Sequence, residues 1–66
     1  MNVIFNRSET EADDGISLYD FILSTGLNPA RIIVELNGSL VPGGHWRQTV
    51  LNDGDCILAV TFVGGG

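Results

Sequence analysis

The stretch "CILAVTFVGGG", Cys56 to Gly66, decides how the chain folds. Its first eight residues are rich in β-formers and apolar at both odd and even positions. A strand sends successive side chains to opposite faces of its sheet. Apolar side chains on both faces place this strand at the centre of a sheet, not at an edge. Three glycines follow, Gly64 to Gly66. Glycine after a strand usually marks a turn, yet the sequence holds no further strand to turn into. The domain therefore reads as residues 1–63, with 64–66 a flexible glycine tail.

Working back along the chain, "NDGD" supplies a turn at Asp53-Gly54-Asp55. "GGHWRQTVLNDGD" reads as a loop with one helical turn over Trp46 to Val50. "RIIVELNGSLVP" is a hairpin, because Asn37-Gly38 suits a two-residue turn that needs positive φ twice. Ile32, Val34 and Leu36 share one face of its first strand, and Ile33 and Glu35 the other. "SLYDFILSTG" carries the best-marked helix. Ser17 is the N-cap, with Asp20 three residues on as an approximate capping box. Leu18, Phe21, Ile22 and Thr25 share a helical face. Gly26 takes the left-handed position after the last turn, Leu27 folds back onto it, and Pro29 blocks continuation. "RSETEADDG" holds at most a short irregular strand, and "MNVIFN" is a strand by alternation.

One helix against one mostly antiparallel sheet is an α+β arrangement. The first and last strands are expected to lie side by side in parallel, joined by a crossover that contains the helix. This is the ubiquitin-like β-grasp architecture: a mixed four- to five-stranded sheet with one main helix on one face.

The composition narrows the function. The chain has 66 residues, three arginines, no lysine and a net charge of −5. A nucleic-acid partner needs a cationic patch that this chain cannot assemble. An acidic surface suits a basic surface on another protein. The longest apolar run is too short to span a bilayer as a helix. No secretory signal pattern opens the sequence, so a cytoplasmic location is expected. Cys56 is the single cysteine. It reads as a small packing residue at the start of a strand rather than a redox centre. His45 has no nucleophile arranged beside it, and one histidine with one cysteine is too few for zinc. The aspartates at 13–14 and 53–55 sit in turns, where aspartate belongs for backbone reasons. No metal site and no independent enzyme are expected.

The tail offers different chemistry. Three extended glycines reach roughly 10 Å. Without Cβ atoms they fit a narrow channel in almost any conformation. What they deliver at Gly66 is a carboxylate, which becomes electrophilic once ATP converts it to an acyl-adenylate.

These features together resemble the ThiS sulfur-carrier family. The likeness covers nearly the whole chain: Val3 and Phe5 in the opening strand, "ADDGISLYDFI", "VELNGSLVP", and "HWRQTVLNDGDCI" with Trp46, Thr49, Leu51 and Asp53 to Asp55. It ends on the family's diglycine, Gly65-Gly66. The resemblance implies a carrier with no catalytic residues of its own and no bound cofactor. An E1-like activating enzyme would adenylate the Gly66 carboxylate with ATP and magnesium, with Gly64 and Gly65 threading its channel. A persulfide donor, a cysteine desulfurase or its equivalent, would supply the sulfur. The resulting thiocarboxylate would pass it to thiazole synthase for thiamin. Three alternatives share this tail and shape: a MoaD-like small subunit of molybdopterin synthase, a ubiquitin-like modifier, and a plain interaction module.

Strand alternation also locates a docking face. If Val3, Phe5, Ile32, Val34, Leu36, Ile57 and Ala59 face the helix, then Ile4, Ile33, Leu58, Val60 and Phe62 line the opposite face. Exposed apolar sets of this size mark partner surfaces.

Overall fold

A computed structural model describes residues 1–62. The expected glycine tail, Gly64 to Gly66, lies outside the described residues, as does Val63. The elements are β1 (Asn2–Phe5), β2 (Ser8–Glu11), α1 (Leu18–Ser24), β3 (Ile32–Leu36), β4 (Ser39–Val41) and β5 (Cys56–Thr61). Short 3-10 helices at Pro29–Arg31 and Gly43–Gln48 join them. The sheet order is β2-β1-β5-β3-β4, so β5 is central, as its composition implied. It runs parallel to β1 through Ile4↔Cys56 and Phe5↔Ile57. It runs antiparallel to β3 from Ile32↔Thr61 to Leu36↔Ile57. The β-grasp expectation is borne out, with five strands.

Two turn asparagines extend these pairings with their side chains. Asn37 lies one rung beyond Leu36↔Ile57. Its N–H donates to the Cys56 carbonyl at 2.8 Å, and its Oδ1 accepts the Cys56 N–H at 2.9 Å. Asn6 lies one residue beyond Phe5. Its N–H donates to the Ile57 carbonyl at 2.9 Å, and its Oδ1 accepts the Ala59 N–H at 2.8 Å. Backbone donors of a strand need partners, and these amides supply them where the neighbouring strands stop.

Both asparagines sit in two-residue turns with positive φ. Asn37 and Gly38 have φ of 52° and 86°, the hairpin turn the sequence announced. Asn6 and Arg7 have φ of 48° and 72°. Arginine there is uncommon, so the sequence does not advertise this turn. Its consequence corrects the irregular strand expected after residue 6. β2 is a regular partner of β1, paired from Asn2↔Glu11 to Phe5↔Ser8.

Helix α1 starts and stops as its residues require. Ser17 Oγ accepts the Asp20 N–H at 3.0 Å, and Gly26 has φ of 85°. Leu18, Phe21 and Ile22 are buried and face Val3, Ile32, Val34, Ile57 and Ala59 in one core. Phe5 meets Phe21 edge-on, with ring centroids 5.3 Å apart.

The loop before β5 differs from its expected form. Its helical turn spans Gly43–Gln48, not Trp46 to Val50. Pro42 precedes it, and Trp46 anchors it: the indole is buried, and its Nε1 donates to the Val41 carbonyl at 2.7 Å. Trp46 thus closes the helix-side core and leaves the outer sheet face uncovered. No helix among the described residues is long and apolar enough to cross a membrane.

Replacing Asn37 tests the turn amides. Asn37→Gly keeps the backbone but loses the amide, and should cost about 1 kcal/mol. Asn37→Ala adds strain at positive φ, and should cost about 1 kcal/mol more. Urea denaturation curves of the two variants check that order.

Candidate functional site

The outer sheet face is built by strand parity. Side chains at 57 and 59 of β5 enter the core, so those at 56, 58 and 60 point away. Pairing then sets their neighbours. Ile33 lies opposite Val60, Glu35 opposite Leu58, and Ile4 opposite Cys56. All five residues assigned to this face are exposed: Ile4 40%, Ile33 48%, Leu58 41%, Val60 54% and Phe62 45%. Four of them, Ile4, Ile33, Leu58 and Val60, come from three adjacent strands. Phe62 follows β5 directly.

Leu40 was missed. It is 63% exposed, and it lies opposite Glu35 on β4, on this same face. The two-residue Asn37-Gly38 turn sets that pairing, so the hairpin register carried the signal. The face carries acids at its β2 edge and within it. Glu9 lies opposite Ile4 on β2, and Glu35 lies between Leu58 and Leu40.

Cys56 corrects an expectation. It is exposed, not packed. Its parity matches Leu58 and Val60, and a register was needed to see it. Two-sided apolarity located β5 at the centre of the sheet, but the described residues cover only one of its faces.

The polar candidates fall into structural roles. Asp53 Oδ1 accepts the Asn2 N–H at 2.9 Å. Asp55 accepts from the Asn52 N–H at 2.7 Å and from the Asn37 amide at 3.0 Å. These carboxylates tie the turn before β5 to β1 and to the hairpin. Asp14 lies 3.2 Å from the Met1 amino group. The Thr49 hydroxyl donates to the His45 backbone carbonyl at 2.7 Å, so the two side chains form no dyad. Arg47 stacks on Tyr19 at 4.0 Å from the ring centre. No group of three or more metal-ligating side chains occurs among the described residues. A depression of about 330 Å³ between Met1, Glu11 and Asp14 is an open polar dish. A groove of about 170 Å³ on the outer face, between Ile4, Arg7, Cys56 and Leu58, is below the size of ordinary ligand pockets.

β5 ends beside the start of β3, where Thr61 lies opposite Ile32. One residue further, the Phe62 N–H donates to the Arg31 carbonyl at 3.1 Å. Gly64, Gly65 and Gly66, the expected threading and activation residues, lie outside the described residues.

Known proteins share this arrangement. The model of the ThiS family matches residues 3–66. A thiazole synthase of Paramagnetospirillum magneticum is 29% identical over all 66 residues, and the chain spans 20% of that protein's length. The sulfur carrier protein ThiS of Escherichia coli is 26% identical, with both chains covered in full. The crystal structure of the thiamine biosynthesis protein ThiS from Geobacter metallireducens superposes with a TM-score of 0.87 at 25% identity, again over the whole of both chains.

The position of Cys56 makes a prediction about its chemistry. Its thiol should react with an aqueous aromatic disulfide in the native protein, without denaturant. Reaction only after unfolding, followed by absorbance, would contradict the exposed placement.

Proposed function

The chain belongs to the ThiS family, and on that premise we propose that it is a sulfur carrier for the thiazole of thiamin. The observation that carries this reading is the extent of the family match, which runs through Gly66 and so includes the diglycine. The 26% identity to a sulfur carrier over both full chains supports it.

The chemistry follows from the tail. A Gly66 carboxylate oxygen attacks the α-phosphorus of ATP, and pyrophosphate leaves. The acyl-adenylate carbon then accepts the outer sulfur of a persulfide, and AMP leaves. A second thiol takes the inner sulfur as a disulfide and releases the thiocarboxylate. A thiocarboxylate is ionised near neutral pH and is a softer nucleophile than a carboxylate, so it suits transfer of sulfur to carbon. The activating enzyme, with ATP and magnesium, and the persulfide donor supply the reactive groups. This chain supplies the acyl carbon and a shape to be recognised, and acts as a co-substrate rather than an enzyme. Thiazole synthase is the proposed recipient. The thiazole synthase that aligns with the whole chain over a fifth of its own length supports a physical partnership between the two activities.

Recognition falls to the outer face. Ile4, Ile33, Leu58, Val60 and Phe62 are the proposed contact residues, and their exposure in one patch supports the assignment. Leu58→Glu and Val60→Glu replace side chains outside the core. Each should leave the circular dichroism spectrum and the denaturation midpoint nearly unchanged. Each should weaken binding to the cognate activating enzyme by about tenfold or more, because a carboxylate is then buried without a partner. Unchanged affinity in a titration of the folded variants would reject this face.

The carrier reading itself is tested by intact mass. After incubation with the cognate activating enzyme, ATP, magnesium and a persulfide donor, the protein should exchange one oxygen for one sulfur. Deletion of Gly66 should abolish the change. A wild-type chain that never gains sulfur under these conditions refutes the proposal.

A further inference from the structure

We propose that the charge order along β5 orients the chain on its activating enzyme, with Arg31 as the docking residue at the leading end. This deepens the sulfur-carrier reading and rests on it. The strand begins among carboxylates that outnumber Arg7, the cation beside them in the groove lined by Ile4, Cys56 and Leu58. Asp53 and Asp55 precede it, and Asp53 is bonded to the backbone of Asn2. The β1–β2 pairing sets Glu11 opposite Asn2 and Glu9 opposite Ile4, level with Cys56. The strand ends elsewhere in character. Residues 21–34 and 56–62 contain no Asp or Glu. Arg31 is exposed, and its carbonyl holds the Phe62 N–H. The point from which the chain continues toward Gly66 therefore carries a cation and lacks nearby sequence acids, although the molecule as a whole is −5.

Six residues of strand separate the two ends by roughly 20 Å. That exceeds the Debye length of about 8 Å at physiological salt, so a partner reads the ends separately. The partner that fits is an apolar surface with cations facing Glu9 and Glu11 and a carboxylate facing Arg31. Leading with Arg31 brings the tail toward a polyphosphate with the acidic end held back. Complementary charge of this kind sets orientation and encounter rate more than the strength of the final complex.

The test is ATP–pyrophosphate exchange by the cognate activating enzyme, with the full chain as the varied substrate, at low and high salt. Arg31→Glu should raise KM about tenfold at low salt with kcat unchanged, and the gap should narrow at high salt. Arg31→Lys should stay near wild type. Gln48→Glu changes net charge away from the tail end, on the exposed side of the 3-10 helix, and should leave KM alone. The inference is overturned if Arg31→Glu matches wild type, if Gln48→Glu raises KM as much, or if the Arg31→Glu defect persists at high salt. A wild-type chain that supports no exchange overturns the carrier reading and this inference together, which separates the two failures.

Discussion

The pairing of β5 with β1 on one side and β3 on the other is the constraint from which the rest of the structure follows. It joins the two ends of the chain in parallel and so requires a crossover, which the segment carrying α1 provides. It decides which residues enter the core, because one register assigns every side chain of three strands to a face. It is completed by the side chains of Asn6 and Asn37, whose left-handed backbones let each amide reach β5. A chain this small has one core and little stability to spare, so polar groups at that strand must be matched locally.

The same pairing divides labour between the two faces of the sheet. The inner face spends its apolar area on α1 and Trp46. The outer face leaves Ile4, Ile33, Leu40, Leu58 and Val60 exposed, uncovered by anything else in the described residues and interspersed with Glu9 and Glu35. Polar groups elsewhere are occupied with turns and caps. The physical picture is a carrier whose outer apolar face, the proposed recognition surface, is centred on one strand. The chemistry proposed for it belongs to partners that bind that surface.

Local signals were legible where a backbone need selects a residue type. Asn37-Gly38 announced its hairpin, and Ser17 and Gly26 bounded α1, because few residues satisfy positive φ or an unpaired helix donor. The Asn6-Arg7 turn hid because arginine is not a turn residue, and with it hid the regular β2. Trp46 was readable as apolar but not as core, since its place depends on how far the loop folds back to Val41. Leu40 and Cys56 needed a register before their faces could be known.

The sequence by itself determined the element order and the central rank of β5, because periodicity and turn chemistry act over a few residues. Only the tertiary structure decided that Cys56 is exposed, that Trp46 seals the inner core, and that the carboxylates gather where β5 begins while Arg31 stands where it ends. Those are relations between segments distant in the chain. They are set by strand register and by how loops close, which no local pattern encodes.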